Sequence, residues 1–110
     1  MPSTYVSRVS TVERAIIDQI IKDALGTGCL IDVGDGDEFP TRPSRFTSTI
    51  TDWIGHTEIT VLVFEKEDKT KLGHVVLVHG NGCDVISDYS ANDFTEEVVK
   101  NANILADTIF

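Results

Sequence analysis

The dipeptide Asn81-Gly82 sits between two apolar runs, residues 72–79 and 83–89, and constrains this chain more than any other feature. Both central positions of a tight type I′ hairpin turn need positive φ, which Asn and Gly supply at low cost. A two-residue turn there sets the pairing: Gly80 opposite Cys83, His79 opposite Asp84, and Leu77 opposite Ile86. Residues 58–66 form a further run rich in β-branched side chains, joined to the hairpin by the polar turn 67–70. The pattern predicts a three-stranded antiparallel meander.

Two amphipathic helices bracket this meander. Ser10 and Glu13 have the S-x-x-E spacing of a capping box. Val12, Ile16, Ile20 and Ala24 follow at i+4, and Ile17 and Ile21 widen the stripe. Glu13, Asp18, Lys22 and Asp23 lie off it, and Gly26 and Gly28 end it. Asn92 or Asp93 caps a second helix, whose stripe is Phe94, Val98, Ala102, Leu105 and Ile109. Its Glu96 and Glu97 favour the positive end of the helix dipole.

Between these helices, residues 29–33 predict a short strand and residues 34–38 an acidic turn. Pro40 and Pro43 break any strand that follows. Phe46, Ile50, Trp53 and Ile54 predict a short helix over about 47–54. The expected fold class is α+β: an antiparallel sheet of three to five strands, N- and C-terminal helices packed on one face, and a short middle helix. One domain is expected over residues 1–110, with 1–9 as a loose arm; at 110 residues a single core suffices.

Side chains alternate along each strand. One sheet face then carries Ile59, Val61, Val63, Val76, Val78, Val85 and Tyr89. The other carries Leu62, Phe64, Val75, Leu77 and Ile86, with His79, Asp84 and Asp88 around them. A sheet with one wet face should alternate between apolar and polar, and this one is apolar on both. The helices can cover one face; the second needs residues 29–54, a second copy of the chain, or a partner. Leu62, Phe64, Val75, Leu77 and Ile86 are the expected partner-binding residues. An exposed Trp53 and the acidic turn at Asp35, Asp37 and Glu38 are candidates beside them.

The chain holds 18 acidic and 9 basic residues, a net charge of −9. Such an excess opposes direct binding to nucleic acid or an anionic membrane and favours cationic partners. No apolar run reaches the ~20 residues of a membrane span, and the first ten residues have no signal-peptide pattern. Cys29 and Cys83 stand singly, which fits reduced thiols and a cytoplasmic location.

Motifs for chemistry are sparse. The hairpin register places His79 near Asp84, with Glu58 on the adjoining strand, and an imidazole with two carboxylates is a candidate divalent-metal set. A hydrogen-bonded cross-strand pair explains the same residues without a metal. Asp32, Asp35, Asp37 and Glu38 lack the ligand and glycine offsets of an EF-hand, and Gly34-x-Gly36 lacks the lysine of a phosphate loop. No cofactor motif is present, and no catalytic residue is assigned.

The segment HGNGCDVISDY, from His79 to Tyr89, resembles a family of short uncharacterised phage and prophage proteins that share a G-N…D-V-I-S-D-Y segment. A looser likeness extends to Leu30-Ile31-Asp32-Val33, to Thr51-Asp52, and to Asn101-Ala102-Asn103-Ile104-Leu105-Ala106. The Asn-Gly turn directly before Cys83-Asp84 departs from the family pattern, which is longer there. The resemblance implies a small accessory protein acting inside an infected bacterial cell. The expected function is non-enzymatic: binding and modulating a host or phage protein, including anti-defence roles such as an anti-CRISPR. The alternatives are a homo-oligomeric (for example dimeric) regulatory module, and a small metal-dependent enzyme at Glu58, His79 and Asp84.

Overall fold

The computed structural model describes residues 9–35, 38–39 and 42–109. The β-branched runs form strands β2 (Ile59–Glu65) and β3 (Lys71–Val78), paired antiparallel with Ile59 opposite Val78 and Val61 opposite Val76. The polar turn between them closes through Lys66 and Thr70, with Lys69 at φ 73°. Leu30–Gly34 forms β1, which adds to the free side of β2 and extends the sheet instead of covering it. Ile86–Tyr89 forms β4 beside β3, giving an antiparallel sheet of four strands in the order β1-β2-β3-β4. The outer edge of β1 is partly occupied, because Ile31 and Ser44 exchange two backbone hydrogen bonds of 2.8 Å.

Helix α1 (Thr11–Gly26) starts at Ser10, whose hydroxyl accepts from the Glu13 N–H, and ends before Thr27 and Gly28. Helix α2 (Thr47–Asp52) is the short middle helix. Helix α3 (Asp93–Ile109) begins at Asn92, whose side-chain oxygen accepts from the Thr95 N–H at 2.8 Å. The architecture is therefore the expected α+β arrangement.

The core joins both long helices to one sheet face. Ile16, Ile17, Ile20 and Ile21 of α1, with Val98, Val99 and Ala102 of α3, pack with Ile31, Val33, Leu62, Phe64, Val75 and Leu77. Burying a side chain of this size stabilises by about 1.5–3 kcal/mol relative to exposure. Val9 also belongs to this core, at 1% exposure, so the expected loose arm does not reach residue 9; residues 1–8 lie outside the described residues.

The hairpin differs from expectation at its tip. Asn81 has φ −105°, which a type I′ turn forbids, and the positive values fall on Gly80 (95°) and Gly82 (58°). The chain leaves β3 after Val78, makes a 3₁₀ turn over Gly82–Asp84, and rejoins where the Val78 N–H donates to the Val85 carbonyl. Leu77 still pairs with Ile86 as a two-residue turn would require, but a register shift then puts Asp88 opposite Val76 and Tyr89 opposite Val75. One inserted residue moves side chains to the other face. Tyr89 accordingly belongs with the core, and Val85, helical at φ −60° and ψ −32° where the 3₁₀ turn ends, is fully buried there too, so neither lies with Val76 and Val78.

Candidate functional site

Glu13 decides what the hairpin tip can do. The capping-box spacing places it one turn into α1, and its side chain is drawn inward to 1% exposure. Its Oε2 accepts from the Gly80 N–H at 3.1 Å, the Gly82 N–H at 3.3 Å and the Ser10 hydroxyl at 3.1 Å. A side-chain acceptor here wraps the loop around a carboxylate, and the positive φ of Gly80 and Gly82 lets both N–H groups turn toward it.

His79 completes the cluster. Its Nδ1 donates to Glu13 Oε1 at 3.3 Å, since a carboxylate can only accept. Its Nε2 shares a hydrogen bond with the Thr60 hydroxyl, 2.7 Å away, and Thr60 accepts from the Gly55 N–H at 3.1 Å. A carboxylate, an imidazole and a hydroxyl in series is also the logic of a nucleophile with its base and orienting acid. Here Glu13 and Thr60 are each 1% exposed and the His79 side chain is fully enclosed, so the hydroxyl has no path to a substrate. The arrangement is a lock tying α1, the 79–82 loop, β2 and the turn at Gly55.

This geometry corrects the expected metal set. His79 continues the alternation of Val75 and Leu77 and so points into the core, while Glu58 and Asp84 are exposed. Only the backbones of His79 and Glu58 meet, through a 2.8 Å hydrogen bond. Among the described residues no group of three His, Cys, Asp or Glu side chains has metal-holding geometry.

The expected partner-binding residues are corrected as well. Leu62, Phe64, Val75 and Leu77 are all at 0% exposure beneath the helices, and Ile86 is packed against the same core. The face left open is the other one. Val61, Val63, Val76 and Val78 are half-buried and outside the core cluster, and Ile59 is 43% exposed. Asp32, opposite Val63, and Asp88, opposite Val76, flank this aliphatic strip.

Desolvation on the strip raises the Asp32 pKa, with the Glu65 carboxylate adding to the rise; the Val33 N–H and Lys71 partly oppose it. A carboxyl held above its unfolded value contributes stability below the unfolded pKa and loses it as pH rises through the folded one. Asp32→Asn, which keeps the acceptor for Val33, is therefore expected to raise the urea midpoint at pH 7. That gain should vanish near pH 3, below the ordinary aspartate value of about 3.9. A gain equal at both pH values would remove the desolvation argument.

A cavity of about 190 Å³ adjoins the open face at the end of the sheet. Val33 and Ile59 supply its apolar lining, Trp53 and His56 its aromatic wall, and Asp35 and Glu38 its acidic rim. The Trp53 and His56 rings lie 5.2 Å apart and tilted by 31°, and His56 Nε2 donates to the Asp52 carbonyl at 2.6 Å. Gly34 lets the rim fold back, because a Cβ there would lie 2.3 Å from the Glu38 carbonyl and 2.6 Å from the Phe39 ring. The Asp35 side chain accepts from the Glu38 N–H at 2.9 Å, closing the turn.

The structure thus brings together Trp53, Asp35 and Glu38 of the expected site; Asp37 lies outside the described residues. It adds His56 and Ile59, which sequence reasoning did not place there. Their signal was weak: a lone histidine three residues after the tryptophan, and the first apolar residue of a strand. Cys29 and Cys83 are both free thiols, and burial pushes the Cys29 pKa up. Among the described residues no helix is long and apolar enough to cross a membrane. Compared with protein-family models, with curated proteins and with solved structures, the chain gives no match.

Proposed function

We propose that this chain is a small non-enzymatic binding protein that docks a basic segment of another protein on the open face of its sheet. The observation that carries this is the one-sided cover. Ile59, Val61, Val63, Val76 and Val78 form a continuous aliphatic strip across β2 and β3, outside the core. Contiguous apolar surface on a soluble domain marks an interaction site more often than chance exposure does. Asp32 and Asp88 beside the strip, and a net charge of −9, favour a cationic partner and oppose a second copy of the same chain. The resemblance of residues 79–89 to phage and prophage proteins supports a host protein of an infected bacterial cell as that partner, with a role in host takeover or anti-defence.

The test is site-specific photo-crosslinking in bacterial cells, with the crosslinker in place of Val76 and, as control, in place of the exposed Lys100 on α3. Adducts with a basic protein from position 76 alone are expected. They should disappear with Val61→Asp and, when the crosslinking is repeated in cell lysate, weaken in salt well above about 0.15 M, where exposed charges are screened beyond about 8 Å. An adduct of twice the chain mass would assign the face to self-association instead. Equal adducts from both positions, or none from 76, would remove the docking role.

A further inference from the structure

The cavity beside the open face has a chemistry of its own. At about 190 Å³ it is smaller than the roughly 300–1,000 Å³ of typical small-molecule sites. Its size suits one long side chain. An apolar lining at Val33 and Ile59, an aromatic wall at Trp53 and His56, and two exposed acidic residues, Asp35 and Glu38, in the same lining ask for an apolar stem ending in a planar cation. A guanidinium stacks on aromatic faces and forks toward carboxylates, whereas a lysine ammonium is a compact, strongly hydrated point charge.

We propose that this pocket receives an arginine side chain of the docked protein. The proposal rests on the reading of the chain as a binding protein and names the residue that anchors the partner. Ile59 is shared by the pocket and the aliphatic strip, so a strand lying along the strip can place an arginine into the cavity without leaving the sheet. Glu38 supplies the accessible charge. The Asp35–Glu38 turn uses only the backbone of Glu38, so its carboxylate is not needed to hold the loop.

Trp53 is the single tryptophan of the chain, so its fluorescence reports on this pocket alone. Titration of the folded protein with N-acetyl-arginine amide should give a saturable change with a dissociation constant on the order of 1–10 mM. The uncharged, nearly isosteric N-acetyl-citrulline amide should give none over the same range, and the lysine analogue should bind more weakly than arginine. Glu38→Gln should weaken arginine binding about twofold to fivefold, the range of an exposed ion pair.

A second arm uses an extended peptide, acetyl-Val-Ile-Arg-Val-Ile-amide. It should bind more tightly than the free arginine derivative, and Val76→Asp should weaken the peptide while leaving the free derivative unchanged. Sensitivity to Glu38→Gln without sensitivity to Val76→Asp keeps the arginine pocket and removes the sheet-face reading. Sensitivity to Val76→Asp alone removes the pocket. Equal binding of citrulline or of lysine, or no saturable change with any probe, also overturns it.

Discussion

Glu13→Ala is expected to destabilise the protein by about 3–5 kcal/mol, because it orphans several buried donors at once. The alanine would leave the N–H groups of Gly80 and Gly82 and the Nδ1–H of His79 without their acceptor. Each buried donor so orphaned costs about 1–3 kcal/mol, reduced where the loop relaxes toward water. Chemical denaturation measures the total, and the expected Tm drop exceeds about 10 °C for a domain of this size.

Amide exchange would localise the effect. The Gly80 and Gly82 amides should lose protection in the variant more than amides at the centre of β2. Glu13→Gln keeps one carbonyl acceptor but sets an NH2 group against the remaining donors, so an intermediate loss is expected. His79→Ala combined with Glu13→Ala should be less than additive, with a coupling of about 0.5–3 kcal/mol. A loss below about 1 kcal/mol for Glu13→Ala would show that the carboxylate does not hold the loop.

The second large effect separates the two sheet faces. Phe64→Ala is expected to cost about 3–5 kcal/mol, because the fully buried ring leaves a cavity beneath α3 that the neighbours cannot fill. Its ring packs against Phe94 with centroids 5.8 Å apart and planes at 60°, a tilted contact that adds to the area buried. Val76→Thr, one strand away, should cost less than about 1 kcal/mol, since threonine keeps β-branching and the site is only half-buried. Urea midpoints of the two variants decide the matter. Comparable losses would mean that the strip around Val76 is itself core, and the docking role would lose its surface.

Much of the architecture was legible because it depends on local periodicity. The i+4 stripe of α1, the start of α3 at Asn92 or Asp93, the short helix after Phe46 and the pairing of Leu77 with Ile86 all follow from side-chain spacing and backbone preference. The hairpin tip did not, although Asn81-Gly82 is the strongest local turn signal in the chain. The preference of Asn-Gly for a two-residue turn is small beside the gain from satisfying a buried carboxylate. The Gly80 and Gly82 amides turn to Glu13, and the loop lengthens to allow it.

The candidate site was legible only in fragments. Trp53 and the acidic turn carried a visible signal, but their meeting with His56 and Ile59 depends on where the segment after β1 returns to the sheet. The metal set failed for a physical reason: His79 shares its alternation with Val75 and Leu77, so whichever way those residues face, it must follow. Once they were buried, His79 was buried too, and its partner became Glu13 instead of Glu58 or Asp84.

By itself the sequence determined the helices, the strands, the meander and the existence of two apolar sheet faces, all consequences of period and of capping. It could not determine which face the helices cover. Alternation is symmetric between faces, and both carried comparable aliphatic content. Tertiary structure broke that symmetry: Ile31 and Val33 of β1 joined Leu62, Phe64, Val75 and Leu77 under α1 and α3, and the shift in β4 moved Tyr89 to the same side. The strip from Ile59 to Val78 was left outside because only one face can meet the two packed helices, and that choice is made by long-range packing energy, not by any local signal.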